Sequence, residues 1–195
     1  GALAVAAGIA IENARLYEER RRREHLLQAV VEINRDLLAG SAVGDALDDI
    51  AARALAIAEA DTVAILLAES DTDLRVVASD SDAAPEIRGA TIPIVGTAAG
   101  DAFATGEAQR VTEPKSDPRV RIDALGGSTL GELVYVPLTG QDACLGVLRV
   151  GRERDRAAFH EREISVIETF ARQAALAVEL ARSRDNRDQL SRLED

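Results

Sequence analysis

A thirteen-residue segment near the start of the chain recurs near its end, and this repeat sets the layout of the chain. Residues 3–15 (LAVAAGIAIENAR) align with residues 170–182 (FARQAALAVELAR) at an offset of 167 residues. Six aligned positions are identical: a glutamate, an arginine and four alanines. The repeat predicts that residues 1–17 are the last helix of a preceding copy of a domain, and that the complete copy follows.

The length of the chain agrees with this layout. At roughly 150 residues per domain, a chain of 195 residues holds one domain and about a third of another. Residues 1–39 contain no proline and predict one continuous helix, about 55 Å long at 1.5 Å per residue. Because a small domain cannot cover that length, we expect residues 18–39 to pair with a second copy of the chain. The predicted seam residues are Leu16, Leu27, Val30 and Leu37.

After residue 40 the apolar periodicity alternates between helix and strand. Helical spacing predicts three helices, at residues 43–60, 97–105 and 161 to about 193. Period-two alternation between turn residues predicts six strands, at residues 62–68, 74–78, 91–95, 108–112, 133–138 and 143–151. The first two and the last two strands form hairpins. A loop of roughly twenty residues, 113–131, lies between the fourth and fifth strands, and loops of that length inside a domain are usually functional or disordered.

Composition excludes several classes of protein. One cysteine excludes a disulfide scaffold and a cysteine-cluster metal site, and two histidines argue against a histidine-rich metal site or a Ser/His/Asp triad. The net charge of −11 argues against binding to a nucleic-acid backbone. The sequence carries neither an apolar run of about 18 residues nor a signal peptide. We therefore expect a cytoplasmic protein that is not inserted in a membrane, has no metal site and binds no nucleic acid.

Local signatures along this pattern resemble those of GAF domains. The signatures are GTAAGDAFATGEAQRV, DPR, VPL, LGVLRVGR, Phe159 with Glu163, and AxQAALAxE. The resemblance covers residues 40–183. It implies an α+β, profilin-like fold with a central antiparallel sheet of about six strands. Long N- and C-terminal helices would cover one face of the sheet, and a short helix and loops the other.

The first stretch, AAGIAIENARLYEE, resembles the closing helix of a GAF domain in tandem-GAF sensor histidine kinases, including the actinobacterial oxygen- and redox-sensing type. The resemblance implies three parts: residues 1–39 as the incoming helix and linker, 40–183 as a second GAF domain, and 184–195 as an outgoing helix toward the kinase dimerisation and phosphoacceptor region. It also implies a non-catalytic sensory module of a two-component kinase.

Small residues on the helices permit two copies to approach closely as a parallel dimer, and Ala174 and Ala181 would take part. Helix-on-sheet packing within one chain would use the same residues, so both readings stay open. The alternative function is a small-molecule sensor coupled to another output, such as a diguanylate cyclase or a metal-dependent serine phosphatase.

The resemblance places a ligand cleft between the sheet and the layer formed by residues 97–105 and 113–131. Its candidate polar residues are Thr97, Arg110, Ser128, Thr129 and Tyr135. Tyr135 lies in an apolar strand, where it is a ligand contact or a core residue with a bonded hydroxyl. Arg149 also lies in an apolar strand, on the same predicted face as Leu145 and Val147, and is an anion contact or part of an ion pair at a sheet edge.

Known GAF cofactors leave little trace in the sequence. The long loop has no histidine for haem, and Cys144 lies in the second hairpin, where it is better read as a small buried hydrophobe than as a bilin attachment site. Gly151-Arg152 replaces the Asn-Lys pair of cyclic-nucleotide binders. We therefore predict no cofactor and disfavour haem and bilin.

Overall fold

The structure of the chain is a computed structural model that describes Tyr17, residues 42–81 and residues 87–194. For residue 42 and residues 185–194 it describes the backbone alone. The predicted seam residues Leu16, Leu27, Val30 and Leu37 lie outside the described residues, as does the rest of the predicted incoming helix apart from Tyr17.

Four helices and six strands make up the described part of the chain. The helices are α1 (Ala42–Ile57), α2 (Ala98–Thr105), α3 (Ile122–Leu125) and α4 (Glu161–Glu194). The strands are β1 (Thr62–Ala68), β2 (Asp73–Ser81), β3 (Thr91–Pro93), β4 (Gln109–Val111), β5 (Leu130–Thr139) and β6 (Cys144–Glu153). The three helices and six strands predicted after residue 40 are confirmed, and the predicted long loop also contains the single turn of α3.

The six strands form one antiparallel sheet in the order β3-β2-β1-β6-β5-β4. The hairpin β1–β2 meets the hairpin β5–β6 at the centre of the sheet, where Thr62 pairs with Gly151 and Leu67 with Gly146. The short strands β3 and β4 form the two edges. The central strands β1 and β6 therefore have neighbours on both sides, and nearly every side chain on them is buried.

Two apolar cores lie on opposite faces of this sheet. On one face α1 and α4 pack together, through residues such as Leu47 and Phe170, against Ile65, Val136 and Leu148. We call this side the helix face. On the other side, which we call the loop face, α2, α3 and residues 113–131 cover a second core. The loop-face core includes Leu66, Val76, Leu125, Leu133, Tyr135 and Val147.

A register shift near the start of β6 changes the face of one predicted residue. Thr139 pairs with Cys144 but Leu138 pairs with Gly146, so Leu145 is the extra residue of a bulge. The prediction that Leu145 shares a face with Val147 and Arg149 is therefore wrong. Leu145 packs on the helix face, whereas Val147 packs on the loop face.

The helix α2 is held against the loop before it by a capped N-terminus and a close glycine. Thr97 is the N-cap, and its hydroxyl accepts a hydrogen bond from the Gly100 N–H at 3.0 Å and donates one to the Pro93 carbonyl at 2.7 Å. A Cβ atom on Gly100 would lie 1.6 Å from the Ile94 carbonyl oxygen. The close approach of α2 to residue 94 is thus possible only because Gly100 has no side chain. We call the layer formed by α2, α3 and residues 113–131 the lid of the loop face. Among the described helices, none is both long and apolar enough to cross a membrane.

We predict that Gly100→Ala lowers the free energy of unfolding by at least about 2 kcal/mol, because the added methyl group must push α2 away from residues 93–94. Urea denaturation followed by circular dichroism measures this change. Gly106→Asn is the matched control. Gly106 also belongs to α2, as its left-handed C-cap, but has no atom within 4 Å of its Cβ position and should cost less than about 1 kcal/mol. Equal stability of the wild type and Gly100→Ala would contradict the close approach.

Candidate functional site

The candidate site is a pair of buried polar side chains under the lid of the loop face. Arg149 of β6 pairs across the strands with Tyr135 of β5 on one side and Ala64 of β1 on the other. Arg149 is 1% exposed and Tyr135 is 2% exposed. Because β6 is a central strand, the reading of Arg149 as part of an ion pair at a sheet edge is wrong.

The guanidinium of Arg149 is the largest fully buried polar group in the described part of the chain, and it has little to balance its charge. Its Nη2 atom donates to the Gly126 carbonyl at 3.3 Å, but Nε and Nη1 have no hydrogen-bond partner among the described residues. An arginine side chain does not lose its proton in proteins. A buried charge normally has an ionic or hydrogen-bonded partner for each of its polar atoms. The loop face therefore holds a cation whose hydrogen-bonding capacity is mostly unused.

Tyr135 stays protonated beside this cation. Burial raises the pKa of the Tyr135 hydroxyl, and the nearby Arg149 charge opposes that rise without cancelling it. The hydroxyl is therefore a hydrogen-bond donor at neutral pH. Arg149 presents donors only, and the Tyr135 hydroxyl beside it on the neighbouring strand can donate as well as accept a hydrogen bond.

Two glycines allow the lid to rest on the guanidinium. Gly126 and Gly127 follow α3 with φ values of +65° and +104°, which residues with a side chain rarely adopt. A Cβ atom on Gly127 would lie 2.9 Å from Arg149 Nη2 and 2.8 Å from the Cδ1 atom of Leu130. The signal in the sequence that could have indicated this contact is a pair of adjacent glycines placed just before a strand.

A second ion pair ties the long loop to α2. Arg119 donates to Asp117 at 2.8 Å through Nη2 and to Asp101 of α2 at 3.2 Å through Nη1, and its carbonyl accepts the Ala98 N–H at 3.0 Å. The Arg119 hydrogen bonds hold the pKa of Asp117 below its usual value. The DPR signature, residues 117–119, therefore holds the long loop against α2 through these hydrogen bonds.

The other predicted cleft residues do not join Arg149 and Tyr135. Thr97 is buried, and its hydroxyl is used in capping α2. Ser128 and Thr129 are exposed in the turn before β5, and Thr129 donates to the Glu153 carboxylate at 2.8 Å. The prediction that Arg110 lies in the same cleft is wrong, because β4 presents Arg110 opposite Val134, a helix-face residue.

Arg110 takes part in a polar joint between the sheet and the segment before α4. Its Nε atom donates to the buried Glu132 carboxylate, and its Nη2 atom donates to the Phe159 carbonyl at 2.7 Å. The other Glu132 oxygen accepts the Phe159 N–H at 2.6 Å. Glu132 and Arg110 thus fix the backbone of Phe159 from both sides.

Arg152 forms a larger joint, which we call the Arg152 clasp. It lies at the end of β6 on the helix face and donates to the Glu163 carboxylate through Nη2 at 2.7 Å and Nη1 at 3.2 Å. It also donates to the carbonyls of Ala58 at 2.7 Å and Ala157 at 3.2 Å, and its guanidinium stacks 4.2 Å from the centre of the Phe159 ring. One side chain therefore connects β6, the turn after α1 and the first turn of α4.

Glu163 completes the clasp as a cap of α4. Its Oε2 atom accepts the His160 N–H at 2.7 Å, and its N–H donates to the His160 carbonyl at 2.9 Å. The hydrogen bonds from Arg152 hold the pKa of Glu163 below its usual value. Arg152, which with Gly151 replaces the Asn-Lys pair of cyclic-nucleotide binders, is thus bound to Glu163 of the same chain.

The two predicted dimer residues inside the described chain lie at different depths. Ala174 is fully buried in the helix-face core, so its neighbours are within its own chain. Ala181 is half-buried. Among the described side chains of α4, the large apolar ones exposed to solvent are Leu176 and Leu180, which are 55% and 52% exposed.

Burial raises the pKa of the Cys144 thiol to about 11, so it is protonated at neutral pH. Its Sγ–H donates to the Gly146 carbonyl at 3.3 Å. The side chain is half-buried rather than fully buried as predicted, and it is an uncharged small group.

Comparisons with known proteins agree with this architecture. A family model for GAF domains matches residues 24–179. The crystal structure of the GAF-B domain of DevS from Mycobacterium smegmatis is 25% identical, covers 74% of this chain and 98% of that chain, and has a TM-score of 0.61. A GAF domain/HD domain protein from Geobacter sulfurreducens is 16% identical over 75% of this chain and 97% of that chain, with a TM-score of 0.63.

A methyl-accepting chemotaxis protein fragment, residues 122 to 287, is 20% identical and covers 78% of this chain and 96% of that chain, with a TM-score of 0.64. The last two likenesses show the fold alone. Together the comparisons confirm the α+β fold, with its six-stranded antiparallel sheet, that the sequence resemblance implied.

We predict that Glu163→Gln lowers the free energy of unfolding at pH 7 by about 1–3 kcal/mol, because Arg152 loses its anionic partner. Since the folded pKa of Glu163 is lowered, its contribution is fully present above the unfolded pKa of about 4.3 and is lost as the pH falls through the folded value. The difference between the variant and the wild type should therefore shrink at low pH.

Urea denaturation at pH 7 and at successively lower pH values measures this difference. Glu161→Gln is the matched control, two residues earlier on the same helix and 91% exposed, and should stay within about 0.5 kcal/mol of the wild type. A difference for Glu163→Gln that does not change with pH would contradict the charged interaction.

Proposed function

The chain belongs to the GAF domain family, whose members are generally non-catalytic sensory and regulatory modules, and we propose that it serves as such a module in a cytoplasmic sensor histidine kinase of a two-component system. In this proposal it works as a homodimer. A change on the loop face of the sheet passes through β6 to α4, and α4 carries it toward the kinase core.

The observation that supports this proposal best is the course of α4. The helix is clamped to the sheet at Glu163, packs on the helix face as far as Val178 and continues to Glu194, about 24 Å further at 1.5 Å per residue. A helix fixed at one end and extending past the core can transmit a rotation or a shift. The likeness to the second GAF domain of DevS and the sequence repeat of residues 3–15 support the same arrangement.

The proposed dimer is parallel and places the outer face of α4 against the same helix of a second copy. Leu176 and Leu180 lie four residues apart on that face, and both are more than half exposed. Residues 18–39 would extend the seam through Leu27 and Val30, which are spaced for a coiled coil in the sequence. The long helices would then bury in the dimer the apolar side chains that one chain leaves uncovered.

A second candidate function is a ligand sensor coupled to a different output, such as a diguanylate cyclase or a metal-dependent serine phosphatase. The buried, incompletely bonded Arg149 favours a ligand in either case. The identity of the output does not alter the dimer prediction below.

We predict that the wild-type chain is a dimer, and that Leu176→Asp combined with Leu180→Asp raises the dimer dissociation constant at least tenfold. Two carboxylates on each helix would face those of the second copy across an apolar seam. Leu27→Asp with Val30→Asp should weaken the dimer in the same direction. Sedimentation velocity over a range of concentrations measures dimerisation, and far-UV circular dichroism reports whether the sheet stays folded.

Val95→Asp is the matched control, because Val95 is 86% exposed but lies in the turn before α2 on the loop side of the domain. That variant should dimerise like the wild type. A wild-type chain that stays monomeric at high concentration, or a Leu176/Leu180 variant that dimerises normally, would contradict the proposed interface.

A further inference from the structure

We propose that the loop face holds a binding site for a small carboxylate with a short apolar tail, in which Arg149 and Tyr135 bind the carboxylate oxygens. This inference deepens the proposed sensory function and rests on it, because it names the chemical class of the signal. It follows from the polar atoms that the folded chain leaves without partners.

The guanidinium of Arg149 leaves most of its hydrogen-bonding capacity unused. The Nε and Nη1 atoms carry three of the five guanidinium N–H groups, and neither atom has a hydrogen-bond partner among the described residues. By contrast, Arg152, three residues later on the same strand, uses Nε, Nη1 and Nη2 in hydrogen bonds. Two buried arginines of the same strand thus differ: all the guanidinium nitrogens of Arg152 are hydrogen-bonded on the helix face, whereas on the loop face two of those of Arg149 are not.

The donors of Arg149 define the charge and the geometry of the ligand group that would bind them. The unused atoms of Arg149 are all donors, and the neighbouring Tyr135 hydroxyl is held in its protonated, donating form. The group that complements them must therefore accept hydrogen bonds and carry negative charge. A guanidinium matches the planar geometry of a carboxylate better than any neutral acceptor.

The side chains around Arg149 and Tyr135 limit the size and polarity of the rest of the ligand. The core around this pair is apolar and includes Leu125, Leu130 and Val147, each at most 3% exposed. A ligand that reaches Arg149 must bury its remaining atoms among such side chains. A short aliphatic tail suits them, whereas a second charge would be left without a partner.

A surface groove beside Leu130 offers a route by which a ligand could enter. A solvent-open groove of about 710 Å³ lies between residues 112–116 and the start of β5, and Leu130 forms part of its wall. The Cδ1 atom of Leu130 and the Nη2 atom of Arg149 both lie within 3 Å of the same point, the Cβ position of Gly127: at 2.8 Å and 2.9 Å. Movement of the Gly126–Gly127 turn together with Leu130 would connect the groove to the guanidinium.

The test uses butyrate as the probe and butyramide as its neutral equivalent of the same shape. Isothermal titration calorimetry and thermal unfolding of the wild-type chain should show saturable butyrate binding and a rise in Tm, and no response to butyramide at the same concentrations. No saturable response to butyrate, or an equal response to butyramide, would overturn the proposal.

Two variants assign the binding to the named residues. Arg149→Met should abolish butyrate binding and should not lower the Tm of the ligand-free chain, because it removes a buried charge that lacks a partner. Tyr135→Phe keeps the guanidinium and should weaken butyrate binding about tenfold through the loss of one donor. Arg172→Met, an exposed arginine of α4, is the matched control and should bind butyrate like the wild type.

Normal butyrate binding by Arg149→Met would overturn the assignment. If that variant does not fold, normal binding by Tyr135→Phe would do the same. The outcome also separates this inference from the proposed function: a chain that dimerises through Leu176 and Leu180 but does not respond to butyrate overturns the carboxylate site alone. Binding of butyrate by a monomeric chain would contradict the dimer and leave the site standing.

Discussion

The Arg152 clasp is the interaction on which the relation between sheet and helices depends. One guanidinium at the end of β6 reaches the carbonyl of Ala58 after α1, the ring of Phe159 and the carboxylate of Glu163 in the first turn of α4. A buried charge of this kind is stable only when its partners surround it, and removing one leaves the others uncompensated. The end of β6 and the first turn of α4 are therefore held together, and this contact is the one through which we propose that a movement of the strand reaches the helix.

Arg149 lies three residues earlier on the same strand and shows the opposite situation. It is as deeply buried as Arg152, yet its Nε and Nη1 atoms have no hydrogen-bond partner among the described residues. Because the two arginines face opposite sides of the sheet, β6 connects an incompletely satisfied charge under the loop lid to a fully satisfied one at the root of the outgoing helix. A ligand that completes the first charge would act on the strand that carries the second. This geometry gives a physical route from the proposed site to α4.

The helices and strands were predictable because they follow helical and strand periodicity, whereas their arrangement in the fold followed from the resemblance to GAF domains. The limits of β1 and the start of α4 coincide with the predicted ones, and Arg149 was placed on the same face as Val147. Leu145 was misplaced because a bulge, which period two does not describe, adds a residue to β6. Arg110 was assigned to the wrong face because β4 has three residues, and its facing depends on register with β5.

The packing of the lid over Arg149 could not be predicted from the sequence, because it also depends on tertiary structure. The contact of Gly127 with Arg149 depends on how a loop folds back over the sheet, and no local pattern encodes that approach. Tyr135 and Arg149 were predictable as polar residues in apolar strands. That they lie side by side follows from the β5–β6 register, and that Arg149 lacks partners follows from the tertiary structure.

The coupling between the two arginines is tested most directly by hydrogen–deuterium exchange of the wild-type chain with and without saturating butyrate. The account predicts changed protection in two separated segments, residues 122–130 over Arg149 and residues 157–166 around the Arg152 clasp, both of them absent in Arg149→Met. Changes confined to residues 122–130, with exchange at the root of α4 unaltered, would contradict transmission along β6.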